Sequence, residues 1–145
     1  MSYSIDVNLM LYGSDASSPF HSRAKAFLES CAGKDEPLYL CYLTLMAYVR
    51  MSTHPRIFTN ALTPEEAFEN VRALSLLPHV RLIGERDGFL DLYYEVTKHV
   101  AVRANLVPDA HLASILRQHG IGTLYASNVD DFRKLGFPDV RNPLS

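Results

Sequence analysis

Acidic and amide side chains stand at three widely separated places where the pattern of this chain changes from apolar to polar. Asp6 ends the first apolar segment, Asp109 opens a later helical stretch, and Asn128 and Asp131 follow a third apolar segment. Carboxylate oxygens are the ligands that Mg²⁺ prefers, together with water and substrate phosphate. If the three segments meet in space, they predict a divalent-cation site suited to phosphodiester chemistry.

Each of these carboxylates also has a structural interpretation. An aspartate at a helix start often caps the free backbone N–H groups there, and Asp109 directly follows a proline. Asp6 is also typical of a turn, and Asp131 is suited to cap a short segment at 131–135. The residue types alone therefore leave metal binding and backbone capping open.

Other chemistry is less strongly indicated. The six histidines lack the paired spacing of a zinc-binding helix, and either tyrosine of Tyr93–Tyr94 is suited to stack on an RNA base. Phosphate contacts are expected from a set of basic residues, which are Arg50, Arg56, Lys98, Arg103 and Arg141.

Composition indicates one globular domain spanning residues 1–145. Of the 145 residues, 48% are apolar and 21% are charged, and the net charge is −2, so there is no overall basic field to attract nucleic acid. Two cysteines are too few for a disulfide scaffold and fit a reducing cytoplasm. No segment has the pattern of a signal peptide or a membrane span, so no membrane partner is expected.

Strand-like and helix-like segments alternate along the chain, which favours an α/β fold with a mostly parallel sheet. Strands are predicted at 3–7, 38–41, 80–83, 122–126 and 140–144. Helices are predicted at 19–32, 44–52, 63–76, 86–100 and 108–120. Thr63 and Glu66 can form a capping box at the third helix. Because ligands bind beyond the carboxyl ends of parallel strands, the polar positions named above can converge on one edge.

Four segments in this order resemble PIN-domain ribonucleases of the VapC toxin type. They are 6–12 (DVNLMLY), 50–58 (RMSTHPRIF), 106–113 (LVPDAHLA) and 140–144 (VRNPL). The resemblance covers essentially the whole chain and implies a three-layer α/β/α PIN-like domain. It implies an endoribonuclease toxin of a type II toxin–antitoxin system that hydrolyses RNA with Mg²⁺, or Mn²⁺ as a substitute. It also implies that the chain pairs with a small VapB-like antitoxin. In addition, we expect a cytoplasmic protein that forms a homodimer.

The resemblance also assigns site residues. Asp6 and Asp109 match the metal-binding aspartates, Asn128 matches the fourth acidic position, and Asp131 follows it closely. Ala47 stands where the family has a glutamate, three positions before Arg50. The predicted catalytic positions are therefore Asp6, Asp109, Asn128, Asp131 and position 47.

The missing carboxylate at Ala47 has two interpretations. The chain is a natural, weakened or non-catalytic member that binds antitoxin or RNA, or the alanine is a deliberate replacement that protects the producing cell from an active ribonuclease. The unchanged residues around Ala47 favour the second interpretation. A phosphoacceptor receiver-like domain is a further α/β alternative, but only Asp6 follows the first strand, where that class needs an acidic pair.

Overall fold

The computed structural model describes residues 2–145, and five short parallel strands form the centre of that part of the chain. They are β1 (Ser4–Ile5), β2 (Leu38–Cys41), β3 (Val80–Ile83), β4 (Thr123–Tyr125) and β5 (Asp139–Arg141). β1 pairs with β4 and β4 with β5, while β2 pairs with β3, all in parallel. A parallel bridge between Tyr3 and Leu38 joins the two groups. The described strand order is therefore β3-β2-β1-β4-β5.

Helices cover both faces of this sheet. They are α1 (Val7–Ser14), α2 (His21–Ala32), α3 (Tyr42–Ser52), α4 (Pro64–Ser75), α5 (Phe89–Thr97), α6 (Leu106–Gln118) and α7 (Val129–Lys134). One apolar core joins β1 and β2 to α1–α4 through residues such as Leu9, Leu45 and Val71. The other joins β3, β4 and β5 to α5–α7 through residues such as Ile115 and Phe132. The predicted three-layer α/β architecture with a parallel sheet is thereby confirmed.

Several predicted elements have the bounds that the sequence indicated. β2 and β3 cover the predicted residues, and α3 begins two residues before the predicted start. The capping box of α4 is present: the Glu66 backbone N–H donates to Thr63 Oγ1 at 3.1 Å, and the Thr63 N–H donates to Glu66 Oε1 at 2.9 Å. Local residue preferences suffice to predict the bounds of a helix or strand where a cap or a run of apolar residues marks it clearly.

The prediction of a strand as far as residue 7 was wrong, and α1 was missed. The strand ends at Ile5, and Asp6 caps a helix that begins at Val7. Three consecutive residues of this helix, Leu9, Met10 and Leu11, are all buried. A helix that is buried on most of its surface lacks the alternation of apolar and polar residues, with a period of 3.6, that identifies an amphipathic helix.

Two other helix boundaries differ from the prediction. The helix predicted at 86–100 is restricted to Phe89–Thr97, because Gly88 adopts a left-handed φ of 84° and Gln118 binds the backbone of Arg86. The helix predicted from 108 begins at Leu106, since proline is tolerated in the first turn. In the described residues, no helix combines the length and apolar character needed to cross a membrane.

Candidate active site

A cleft of about 460 Å³ lies where the first residues of α1, α6 and α7 face one side of α3. Every predicted catalytic position lines it, together with Arg50. The lining residues that carry polar or ionisable groups are Asp6, Asn8, Thr44, Arg50, Asn105, Asp109, Asn128 and Asp131. The structure therefore brings together side chains that lie more than a hundred positions apart in sequence.

Asp6 is held in place by its position directly after β1. Its backbone N–H donates to the Tyr125 carbonyl at 2.9 Å, which continues the β1–β4 pairing for one more residue. Its Oδ1 accepts the backbone N–H of Val7 at 2.8 Å, and the side chain is 6% exposed. Asp6 thus caps α1 while it lines the cleft, so the capping role leaves it at the site.

Asp109 does not cap the helix that carries it. It is the fourth residue of α6, and the N-cap position is Asn105. Its Oδ2 instead accepts a hydrogen bond from Asn128 Nδ2 at 2.9 Å. The alternative interpretation of Asp109 as a helix cap is therefore wrong, because the helix starts earlier than its proline suggested.

Asn128 connects the two remaining carboxylates. The same Nδ2 that binds Asp109 also donates to Asp131 Oδ2 at 3.3 Å, so one amide bridges α6 and α7. The Oδ1 atom of Asn128 is buried and has no hydrogen-bond partner in the described structure. Asp131 is the third residue of α7 rather than its cap. The amide therefore fixes two carboxylates relative to each other.

The carboxylates are electrostatically unfavourable as they stand. Burial raises the pKa of Asp6 to about 6, although its bond from the Val7 N–H opposes the shift. Burial, followed by the charges of Asp6 and Asp131, raises the pKa of Asp109 to about 7, and the Asn128 amide opposes this shift. Desolvation and like charge both disfavour ionised carboxylates. A bound cation would relieve both effects.

The opposite side of the cleft is formed by α3. Leu43, Thr44, Ala47, Arg50 and Met51 all face the cleft, at the three- and four-residue spacing of one helix face. Position 47 thus lies in the wall of the cleft and carries only a methyl group.

The cleft offers a divalent cation suitable oxygen ligands, but few of them. Asp6 and Asp109 bring carboxylate oxygens to the cleft, and these are hard donors suited to Mg²⁺. Within residues 2–145, however, no group of three or more His, Cys, Asp or Glu side chains has an arrangement that could hold a metal ion. Ala47, on the α3 side, adds no carboxylate to Asp6, Asp109 and Asp131.

Most of the predicted phosphate contacts lie elsewhere. Lys98 pairs with Glu95 at 2.7 Å, and Arg141 pairs with Asp139 at 2.8 Å. Of the five basic candidates, Arg50 lines the cleft. Sequence reasoning missed two cleft residues, Thr44 and Asn105, although each lies one helical turn before a predicted site position.

The two tyrosines predicted as candidates to stack on an RNA base lie in different environments. Tyr93 packs against the core beside α6, and Tyr94 is 64% exposed. Neither tyrosine lines the cleft. A cavity of about 420 Å³ between α5, α6 and α7 is similar in size, but no Asp or Glu lines it. The acidic cleft is therefore the better candidate for chemistry.

Known proteins resemble this chain over its full length. No protein-family model matches the sequence. Ribonuclease VapC48 of Mycobacterium tuberculosis is 39% identical over 145 residues, which span 100% of this chain and 99% of that protein. Ribonuclease VapC24 of the same organism is 31% identical over 142 residues, 98% of this chain and 97% of that protein.

Solved structures share the fold. The crystal structure of VapC20, a sarcin–ricin loop cleaving toxin of Mycobacterium tuberculosis, has a TM-score of 0.70 and 21% identity, over 96% of this chain and 98% of that chain. VapBC2 of Rickettsia felis, bound to a promoter DNA fragment, has a TM-score of 0.69 and 14% identity, over 98% of each chain. These neighbours confirm a PIN-type fold, and the identity to VapC48 establishes the family. The chain belongs to the VapC ribonucleases, the PIN-domain toxins of toxin–antitoxin systems, whose members are generally metal-dependent nucleases.

Proposed function

We propose that this chain is a Mg²⁺-dependent endoribonuclease toxin that hydrolyses RNA phosphodiester bonds in the acidic cleft. The observation that carries the proposal is the convergence of Asp6, Asp109 and Asp131 on one cleft in a member of the VapC family. Mn²⁺ is expected to substitute for Mg²⁺, because both are bound by carboxylate and water oxygens.

The proposed roles follow from the contacts of each residue. Asp6 and Asp109 hold the cation, which when bound neutralises charge on the phosphate and activates a water molecule. Asp131 accepts a hydrogen bond from water at the edge of the site. Asn128 keeps Asp109 and Asp131 in fixed relative positions through its shared Nδ2 bonds. The Val7 N–H fixes one oxygen of Asp6 and leaves the other for the cleft.

A second candidate function is a module that binds antitoxin or RNA without cleaving RNA. Ala47 favours it, because this residue faces the carboxylates and supplies no fourth acid group. Cleavage of total RNA by purified protein, with Mn²⁺ and with a chelator, separates the two functions. The codon at position 47 of the parent gene decides whether the alanine is natural.

The expected partner is a small VapB-like antitoxin. Three carboxylates in one cleft attract a basic side chain, and arginine can bind a carboxylate with two parallel hydrogen bonds. The solved VapBC2 structure from Rickettsia felis is a complex of this class. Co-expression with the product of the neighbouring gene should give one peak in gel filtration. Failure of every small operon product to bind would remove the support for this partner.

We further propose a single domain that acts as a homodimer in the cytoplasm. Both cysteines, Cys31 and Cys41, are buried free thiols, which fits a reducing compartment. Light scattering of the purified chain tests the dimer.

The decisive activity test compares this chain with Asp6→Asn. Metal-dependent cleavage of RNA that the substitution abolishes supports the proposed ribonuclease function, and equal cleavage by both proteins contradicts it.

A further inference from the structure

We infer that Arg50 binds a phosphate of the substrate, so that the two sides of the cleft divide the work between cation and phosphate. This inference rests on the proposed function and names a contact within the same site. The acidic side, which comprises Asp6, Asp109, Asn128 and Asp131, holds the metal. The α3 side, which comprises Leu43, Thr44, Ala47, Arg50 and Met51, holds the RNA backbone.

The position of Arg50 is the first support. Among the described residues that line the cleft, Arg50 is the one lysine or arginine. It lies one helical turn after Ala47 on the same face of α3, and its side chain is largely exposed. A phosphate bound to a cation held by Asp6 and Asp109 would lie in the same cleft as Arg50.

The absence of a competing partner is the second support. Three aspartates line the same cleft, yet in residues 2–145 the Arg50 guanidinium makes no ion pair and no side-chain hydrogen bond. An arginine whose task is to neutralise the carboxylates would lie against them. The guanidinium therefore keeps its donors for a ligand, and its planar fork matches the geometry of phosphate oxygens.

Ala47 explains why Arg50 is unpaired. A glutamate three residues before an arginine on a helix can form an ion pair with it. Ala47 cannot, so Arg50 lacks this ion-pair partner on its own helix. The ordinary alternative is a solvated surface arginine, and Arg56 supplies the matched case. Arg56 is also exposed and without an ion pair in the described structure, but it lies outside the cleft.

The experiment compares Arg50→Met with Arg56→Met in the full chain. The probe is a fluorescein-labelled single-stranded RNA of mixed sequence, measured by anisotropy with Mn²⁺ present and checked for integrity on a gel. Arg50→Met should weaken binding by about tenfold or more at low salt, since it removes a hydrogen bond to a charged group. It should also reduce the salt dependence by one phosphate contact, a slope change of about 0.7. Arg56→Met should change neither quantity by as much as twofold.

Two further measurements distinguish ligand contact from a structural role. Calorimetry should show that Arg50→Met binds Mn²⁺ at least as tightly as the parent chain, because a cation has been removed from the site. Arg50→Lys should recover part of the RNA affinity, since it restores the charge without the planar fork. Thermal melting of each variant confirms that it folds.

The outcomes are separable. Equal effects of Arg50→Met and Arg56→Met on RNA binding would overturn the inference, as would a parallel loss of Mn²⁺ affinity in Arg50→Met. If the parent chain cleaves RNA and Arg50→Met binds RNA equally well, only this inference fails. If the parent chain neither binds nor cleaves RNA, the proposed function fails with it.

Discussion

The two sides of the cleft differ in how the fold specifies them. On the acidic side, each functional residue lies beside the start of a helix: Asp6 before α1, Asp109 in the first turn of α6, and Asn128 before α7. The topology of a parallel sheet brings such positions to one edge. On the α3 side, the functional positions are points on one helix face. A side chain there can change from acid to alanine without altering the fold.

The two sides of the cleft also differ in the electrostatic cost of their side chains. The acidic side contains carboxylates that burial and mutual repulsion disfavour, as the raised pKa values of Asp6 and Asp109 indicate. The cleft-facing residues of α3 are apolar or hydroxyl-bearing apart from Arg50. Stability and ligand binding are therefore opposed on the acidic side and nearly independent on the α3 side.

The largest expected effect is on catalysis. Ala47→Glu should increase metal-dependent RNA cleavage by about 10²–10⁴-fold, the range for a positioned acid–base group, because it adds a carboxylate opposite Asp6 and Asp109. Cleavage of total RNA with Mn²⁺, and with a chelator, measures the effect. The same variant should be toxic when expressed without antitoxin.

Met46→Glu is the matched control for this change. Met46 neighbours Ala47 on α3, is 54% exposed and lies outside the cleft, so the same added charge should leave cleavage unchanged. If the Ala47→Glu protein is as inactive as the parent, position 47 does not carry the missing acid, or the chain is not an enzyme.

The second effect is on the pH dependence of stability. The folded-state pKa values of Asp6 and Asp109 are raised to about 6 and about 7. Between pH 4 and 8 the folded protein therefore binds more protons than the unfolded chain, and the free energy of unfolding falls as pH rises. Each unit by which a pKa is raised corresponds to about 1.4 kcal/mol of this loss. Urea denaturation across this range, without metal, measures it.

Metal and substitution should both reduce this loss. Mn²⁺ binds the ionised carboxylates and stabilises the folded state at neutral pH. Asp109→Asn removes one of the two groups and should flatten the curve, whereas Asp130→Asn, at a side chain that is 90% exposed, should not. A metal-free protein that is more stable at pH 8 than at pH 5 would contradict the burial of uncompensated charge on the acidic side.

The third effect is on metal affinity. Asp109→Asn should weaken Mn²⁺ binding by about tenfold or more, because an amide oxygen replaces an ionised ligand. The protein should stay folded, since the Asp109 carboxylate does not cap α6 and its removal relieves repulsion with Asp6 and Asp131. Calorimetry on this variant and on Asp130→Asn measures the difference. Equal Mn²⁺ affinity in the two would remove Asp109 from the site.

The same division explains what the sequence could predict. The acidic side was predictable because strand ends and helix starts have strong local markers, and the resemblance placed Asp6 and Asp109 in register. The bridging bonds of Asn128 were not predictable, because they depend on the distance between α6 and α7. The lack of an ion pair at Arg50 was equally hidden, since it depends on where the three aspartates point.

The errors in the predicted secondary structure have a similar cause. α1 was missed because tertiary burial of Leu9, Met10 and Leu11 removes the polar face that marks a helix. The helix predicted at 86–100 was too long at its start because Gln118, thirty-two positions from Arg86, holds the preceding loop. In both cases, contacts between distant segments overrule the local pattern.

The smallest expected effect concerns the face of α3 that points away from the cleft. Tyr48 is 2% exposed, and its hydroxyl contacts Ser14 Oγ at 2.8 Å and accepts a hydrogen bond from Asn70 Nδ2 at 2.9 Å. These contacts tie α3 to α1 and α4. Tyr48→Phe should lower the free energy of unfolding by about 1 kcal/mol, the typical net contribution of a hydrogen bond, because the ring still fills its place in the core.

If the two sides of the cleft are independent, Tyr48→Phe should leave the Mn²⁺ affinity within about twofold of the parent. For comparison, a tenfold change in affinity corresponds to about 1.4 kcal/mol. Urea denaturation and calorimetry on the same preparation give both quantities. Ser18, whose Oγ accepts a hydrogen bond from the Phe20 backbone N–H in an exposed segment, offers a control in Ser18→Ala. A fall in Mn²⁺ affinity comparable to that of Asp109→Asn would mean that α3 positions the carboxylates after all. The acidic side would then depend on the helix packed against it as well as on the strand ends and helix starts that carry its residues.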